Sequence, residues 1–248
     1  MILAGGAAAT GDLVVTTPPV VPVGAVESVL GTSRGPRLVV QRAFAPGSYV
    51  VVPGDAVASV EEDGGHRVRW LVSRLRPADL LRQGAYRREL GRLVPDVFPP
   101  APPEPAAPGA EAAARQGVAA ALAGDPLIAG GDLTVDLCYG VAFLEGWVYT
   151  VAARVQATLL ARTTPGVWEV RNRLVSDEEL RVVVRQALRA HPDAGAAVAD
   201  FRLDLGRLSV SLRPEAPPAA GAAVRAAAGA LLGVRRVDVA PWAPARGA

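Results

Sequence analysis

The chain has few of the side chains from which active sites are usually made. One cysteine, Cys138, excludes an internal disulfide and leaves no thiolate cluster for a metal. The two histidines, His66 and His191, cannot by themselves complete a zinc site or a Cys/His catalytic pair. Lysine is absent. All 26 basic residues are arginine, and against 24 acidic residues they leave a net charge of +2, too little for a strong pull on nucleic-acid phosphates. Aromatic residues make up 5% of a chain that is half hydrophobic, so its core must be built from Val, Leu and Ala, which suits small units better than one large globule. The opening Met1-Ile2-Leu3-Ala4-Gly5-Gly6 lacks the basic and apolar regions of a signal peptide. No stretch reaches the roughly 18 uninterrupted apolar residues of a membrane helix. These absences point to a soluble, cytoplasmic protein.

Proline, by contrast, is abundant and draws the main boundary. From Pro95 to Pro108 the chain reads PDVFPPAPPEPAAP, which favours an extended polyproline conformation over a hydrogen-bonded ladder. The expected organisation is a flexible N-terminus (1–19), a first domain (20–93), a Pro-rich linker (94–110), two further units (111–175 and 176–240) and a flexible tail (241–248). The first domain reads as about six short strands. Val50-Val51-Val52 runs into the Pro53-Gly54 turn, Val57 to Val60 resumes an apolar alternation, and Glu61-Glu62-Asp63-Gly64-Gly65 reads as a hairpin turn. That pattern predicts a small β-barrel. The run from Val23-Gly24-Ala25-Val26-Glu27 through Leu38-Val39-Val40 to Val51-Val52-Pro53-Gly54 resembles a PRC-barrel, a resemblance that spans about 60 residues of common types.

The C-terminal region repeats itself. Val135, Leu137 and Gly140 recur as Phe201, Leu203 and Gly206, and Gly166-Val167 with Val170 recur as Gly233-Val234 with Val237. Each copy has the pattern helix, strand, strand, helix, strand, which predicts two helices on one face of a three-stranded sheet. The first helix of copy two is the clearest, with Leu180, Val184 and Leu188 on one face and a capping box of Ser176 and Glu179. In copy one the second helix has Val151, Val155 and Leu159 on one stripe, read as its core face. The overall expectation is an α+β chain: a small N-terminal barrel and two tandem αββαβ units joined by a Pro-rich linker.

The glycines of this pattern carry a second resemblance. Copy one has Gly140, Gly146, Gly166, Val167, Val170 and Asn172 in the order found in the BON domain; copy two keeps Gly206, Gly233 and Val234. Copy two has Leu212 and Val239 where the second glycine and the asparagine would fall, so it resembles a diverged BON domain. The resemblance implies interaction with phospholipid or a membrane surface.

Side chains with chemical potential each have a structural reading. His191 precedes Pro192 at a helix end, where it complements the helix dipole. Asp177, Glu178 and Glu179 form a first helical turn, and Cys138 lies on the strand face opposite Val135 and Leu137. Gly5-Gly6 and Gly11 lack the Gly-Lys-Ser/Thr of a phosphate loop. No catalytic residue, metal ligand or cofactor is assigned, and an enzyme is the least favoured class. The candidates for an anionic surface are Arg67, Arg69, Arg74, Arg76, Arg87 and Arg88, in a stretch that continues through Arg82 and Arg92, with Trp70 and Tyr86 interleaved. Trp147 and Trp168 are the candidate interface aromatics, with packing against the small core as their other reading. The preferred expectation is a non-enzymatic scaffold, cytoplasmic or peripheral to a membrane, that meets an anionic surface or another protein. Homo-oligomeric self-assembly is one alternative; RNA or ribosome association through the barrel is another, although nucleic acid is a disfavoured partner.

Overall fold

The computed structural model describes residues 7–16, 20–33, 35–63, 68–76, 79, 83, 85–89, 92–96, 107 and 109–241. The His66 and Arg67 positions, the Gly64-Gly65 turn, Arg82, Gly5-Gly6, most of the Pro-rich linker and the tail beyond Pro241 lie outside the described residues. The chain divides into two compact units. The first is 1–114 with 137–141 and 166–169; the second is 115–136, 142–165 and 170–248.

The first unit is dominated by strands: β1 (Leu13–Thr16), β2 (Pro22–Thr32), β3 (Gly35–Arg42), β4 (Ser48–Pro53), β5 (Val57–Asp63), β6 (Val68–Ser73), β7 (Tyr86–Glu89) and β8 (Arg92–Pro95). They form one sheet in the order β5-β6-β1-β2-β3-β4-β7-β8. The expected barrel is not closed: among the described residues no ladder joins β8 to β5, and β7 attaches to β4 through only two residue pairs. The expectation of a flexible stretch before Val20 is also corrected. Leu13, Val14, Val15 and Thr16 are buried, and β1 sits inside the sheet, antiparallel to β2 and parallel to β6. The four strand residues Leu13–Thr16 are too few to show a period, and only the two flanking strands reveal what they pair with. The core beneath is aliphatic, with Val14, Val26, Leu38, Val40, Val52 and Leu71 at 2% exposure or less.

The rest of the chain repeats one element order. The first copy consists of α1 (Ala110–Gly124), β9 (Asp132–Cys138), β10 (Val141–Val148), α2 (Val151–Thr163) and β11 (Glu169–Ser176). The second consists of α3 (Asp177–Ala190), the short α4 (Pro192–Gly195), β12 (Val198–Asp204), β13 (Arg207–Leu212), α5 (Ala220–Gly229) and β14 (Arg236–Pro241). Each has a three-stranded sheet with its second strand in the middle, β11-β10-β9 and β12-β13-β14. Helix α3 starts as its sequence predicts. The Ser176 hydroxyl accepts from the Glu179 amide at 3.3 Å and donates to the Glu179 carboxylate at 2.7 Å. Leu180, Val184 and Leu188 are buried against Leu208, Val210 and Val224.

Helix α2 reverses the expected face. Ala153, Ala157 and Ala161 are fully buried, while Val155 and Leu159 are more than half exposed. The Val151–Val155–Leu159 stripe is therefore not its core face. Asn172 of β11 holds the helix in this orientation: its amide donates to the Arg154 carbonyl and to the Thr158 hydroxyl, both at 2.8 Å, while its own oxygen accepts from the Leu174 amide. Thr150 caps the helix through the Ala153 amide at 3.0 Å.

Both hairpins turn on a left-handed pair, Tyr139 (φ 50°) with Gly140 (φ 74°), and Leu205 (φ 47°) with Gly206 (φ 77°), which is the twist that two-residue hairpins favour. In the second copy this turn is clamped. The buried Asp177 carboxylate accepts from the Leu205 amide at 2.7 Å and the Gly206 amide at 2.9 Å. The Trp147 indole lies against the same turn: its N–H donates to the Gly233 carbonyl at 2.8 Å, and a Cβ on Gly206 would fall 2.4 Å from its nitrogen. The Arg235 guanidinium stacks 4.3 Å from the Trp147 ring centre and pairs with Asp132, while the Tyr149 hydroxyl donates to Asp204 at 3.2 Å. That last bond, ahead of desolvation, holds the Tyr149 phenol above its ordinary pKa.

Two substitutions test these contacts. Gly146 has φ 122°, and a Cβ there would sit 2.2 Å from the Asp132 carbonyl, so Gly146→Ala is expected to cost roughly 3 kcal/mol or more in urea unfolding. Gly31→Ala, where nothing lies within 4 Å of the added carbon, is the control and should stay within about 0.5 kcal/mol of the parent. Asp177→Ala leaves two amides without their acceptor and is expected to cost roughly 3 kcal/mol. Hydrogen exchange at Leu205 and Gly206 should accelerate in Asp177→Ala, with Asp177→Asn intermediate.

Candidate functional site

The sequence-selected arginines do not form an unopposed basic surface. Arg69 is largely covered, lies 3.6 Å from Asp12 and 3.8 Å from Glu62, and donates to the Ala7 carbonyl. Arg76 pairs with Asp79 at 3.2 Å and Arg87 with Glu89 at 2.7 Å. Arg88 is hydrogen-bonded to Glu27, which raises its pKa, and stacks 5.5 Å from the Tyr49 ring centre. Arg74 is exposed. An acidic neighbour opposes most of the stretch, so a continuous phosphate-binding track is not what these residues build.

The two candidate aromatics are likewise engaged. Trp147 is half-buried against the Leu205–Gly206 turn, and Trp168 donates its indole N–H to the Tyr139 carbonyl at 2.8 Å. Within the first unit Phe44 lies 6.4 Å from Trp168, and Trp70 meets Tyr139 edge-on at 5.1 Å. Burial, ahead of neighbouring negative groups, raises the Tyr139 phenol pKa. Of the two readings of Trp147 and Trp168, the contacts are those of packing within the fold.

The remaining BON-pattern residues also have structural work. Gly166 and Gly233 have positive φ like Gly140 and Gly206. Val167 is buried, and Val170 and Val234 are half-buried. The acidic first turn of α3 is consumed internally. Asp177 clamps the turn, Glu178 accepts from the Val151 amide at 3.0 Å, and Glu179 takes two hydrogen bonds from Arg154 at 2.7 and 3.0 Å. His191 ends α3, its amide donating to the Leu188 carbonyl at 3.3 Å. Among the described residues no group of three or more His, Cys, Asp or Glu could hold a metal ion. No described helix is long and apolar enough to cross a membrane.

A helical surface remains that the sequence reading did not select. On α2, Val155 and Leu159 point outward; on α3, Val182 and Val183 do the same. The bidentate Arg154–Glu179 pair places the first turns of these two helices side by side. Exposed arginines accompany the aliphatic side chains: Arg162 on α2, and Arg181, Arg185 and Arg189 on α3. The signal for this face in the sequence is the alternation of alanines with larger aliphatics in α2.

Comparison with known proteins places one part of this architecture in a family. No curated protein matches the chain. Among solved structures, the C-terminal domain of CdsD, the structural protein of the type III secretion system of Chlamydia trachomatis, is similar at 15% identity and a TM-score of 0.43. That match covers 53% of this chain and 67% of the other. A second structure of CdsD is similar at 17% identity and a TM-score of 0.41, covering 52% and 60%. The BON domain family matches residues 110–175, from the first residue of α1 to the last but one of β11. Residues 110–175 are a BON domain.

Proposed function

We propose that this protein is a non-enzymatic binding scaffold in which the BON domain and a second, diverged BON-like repeat are locked in tandem and present a helical surface to anionic phospholipid. The observation that carries this reading is the outward placement of Val155, Leu159, Val182 and Val183 beside Arg162, Arg181, Arg185 and Arg189. Aliphatic side chains next to arginines suit the boundary between lipid headgroups and acyl chains, where burial and attraction to anionic headgroups add. The tandem part of the reading rests on the shared element order, the shared left-handed turns and the clamp of Asp177, Trp147 and Arg235. The internal use of the acidic first turn of α3, with Asp177, Glu178 and Glu179 all bonded within the fold, fits a binding role. In this reading the N-terminal sheet, whose valine strands resemble a PRC-barrel, serves as a platform.

Co-sedimentation with phosphatidylglycerol-containing vesicles tests the proposal. The protein should pellet with them at low salt, pellet less at high salt, and stay in solution with pure phosphatidylcholine. Leu159→Asp combined with Val182→Asp should weaken binding by about tenfold or more, with an unchanged circular dichroism spectrum. No binding to anionic vesicles at low salt would remove this function.

A further inference from the structure

Two cavities of the first unit meet at one exposed aromatic side chain. The first, of about 430 Å³, is lined by Val20, Pro22, Phe44, Glu111, Leu137 and Tyr139. The second, of about 390 Å³, shares Val20 and Tyr139 with it and is lined further by Glu61, Glu62 and Trp70. Both have the size of small-molecule pockets. Phe44 and Tyr139 remain 49% and 38% exposed in a chain that is poor in aromatic residues. The backbone holds both in the left-handed region, Phe44 at φ 58° and Tyr139 at φ 50°, which bulky side chains rarely adopt. Tyr139 owes this to the hairpin turn it shares with Gly140, whereas Phe44 lies in the connection between β3 and β4. Gly140 lets the rings approach: a Cβ there would fall 3.1 Å from the Phe44 ring and 2.7 Å from that of Trp168. Acidic side chains stand on both sides of Tyr139. Glu111 is exposed at the first cavity and Glu61 at the second, and neither has an ion pair among the described residues. Glu62, by contrast, is met by Arg69 at 3.8 Å. After burial, the charges of Cys138, Glu111 and Glu61 are what raise the Tyr139 pKa, so negative potential reaches the ring from both cavities.

We propose that this cleft binds a small organic cation, an alkylguanidinium or alkylammonium, whose charge is met by Glu111 and Glu61 and whose hydrocarbon part packs on Tyr139, Phe44 and Val20. Aromatic faces attract a cation through their quadrupole, more strongly as water is excluded, and carboxylates at the rim add direct attraction. A neutral apolar ligand leaves the carboxylates unused, and an anion is repelled by them. A bare metal ion does not suit the cleft: its walls are largely apolar, and among the described residues no three acidic, His or Cys side chains are grouped to hold one. The strained, exposed placement of Phe44 has a use in this reading, because a ring folded onto the sheet would not reach a ligand. The cleft shares no residue with the helical surface proposed for lipid, so the two readings stand or fall separately.

Butylguanidinium and butylurea make a matched pair for the test, nearly equal in shape and different in charge. Each is titrated into the full chain at low salt, without lipid, and followed by backbone amide chemical shifts. Butylguanidinium should shift the Phe44, Tyr139 and Gly140 amides along saturating curves and bind at least about tenfold more tightly than butylurea. Its affinity should fall as salt is added. Glu61→Gln combined with Glu111→Gln should weaken binding of the cation about tenfold and leave that of butylurea unchanged, a split that a general loss of fold would not give. Tyr139→Leu should weaken it as much. Leucine already occupies the equivalent left-handed position at Leu205, so the turn tolerates that change. Equal binding of the two ligands, no saturable shift with butylguanidinium, or unchanged affinity in these variants overturns the proposal.

Discussion

Helix α2 rests on its sheet through three alanines, and this close approach decides what the BON domain shows to solvent. With Ala153, Ala157 and Ala161 inward, the wider Val155 and Leu159 have no room beneath the helix and face outward. A methyl side chain lets the helix axis approach the strands, and Asn172 fixes the arrangement by bonding to the Arg154 carbonyl from the outer strand. Interiors are packed tightly enough that such a choice is discrete: the helix buries either its small face or its large one. The exposed aliphatic surface follows from that choice. The Arg154–Glu179 pair then extends the surface onto α3.

The two repeats share a backbone plan and differ in what stabilises it. Copy one relies on a glycine that lets β10 approach β9 and on an asparagine bonding to its second helix. Copy two has Leu212 and Val239 in these places, and both pack against its hydrophobic core. The second segment has the same sheet order and left-handed turn without them, with apolar burial in their place. What copy two gained is attachment. Its turn is held by its own Asp177 and by Trp147 of β10.

Much of the repeat region was legible from local pattern. The capping box at Ser176, the inward Leu180–Val184–Leu188 face and the turn glycines at 140 and 206 depend on neighbours within a few positions, so periodicity and turn chemistry are enough to read them. The candidate surface was less legible. Eight arginines in a short stretch look like a binding track until Asp12, Glu27, Glu62, Asp79 and Glu89 are seen opposite four of them, Arg69, Arg76, Arg87 and Arg88, and two of these acids are distant in sequence from their partners. A tryptophan beside a turn glycine reads equally as an anchor or as packing. Only the position of Gly233 and Arg235, nearly ninety residues on, shows that Trp147 is packing.

By itself, then, the sequence determined the order of helices and strands after residue 110 and the scarcity of cysteine and histidine, because each is a matter of composition or of spacing along the chain. The tertiary structure alone decided which face of α2 is buried, that Leu13–Thr16 is an inner strand, that no ladder closes the N-terminal sheet among its described residues, and that Arg69, Arg76, Arg87 and Arg88 face acidic partners. These outcomes share a physical reason. Burial and pairing are properties of two surfaces in contact, and a segment that could satisfy either role takes the one its distant partner allows.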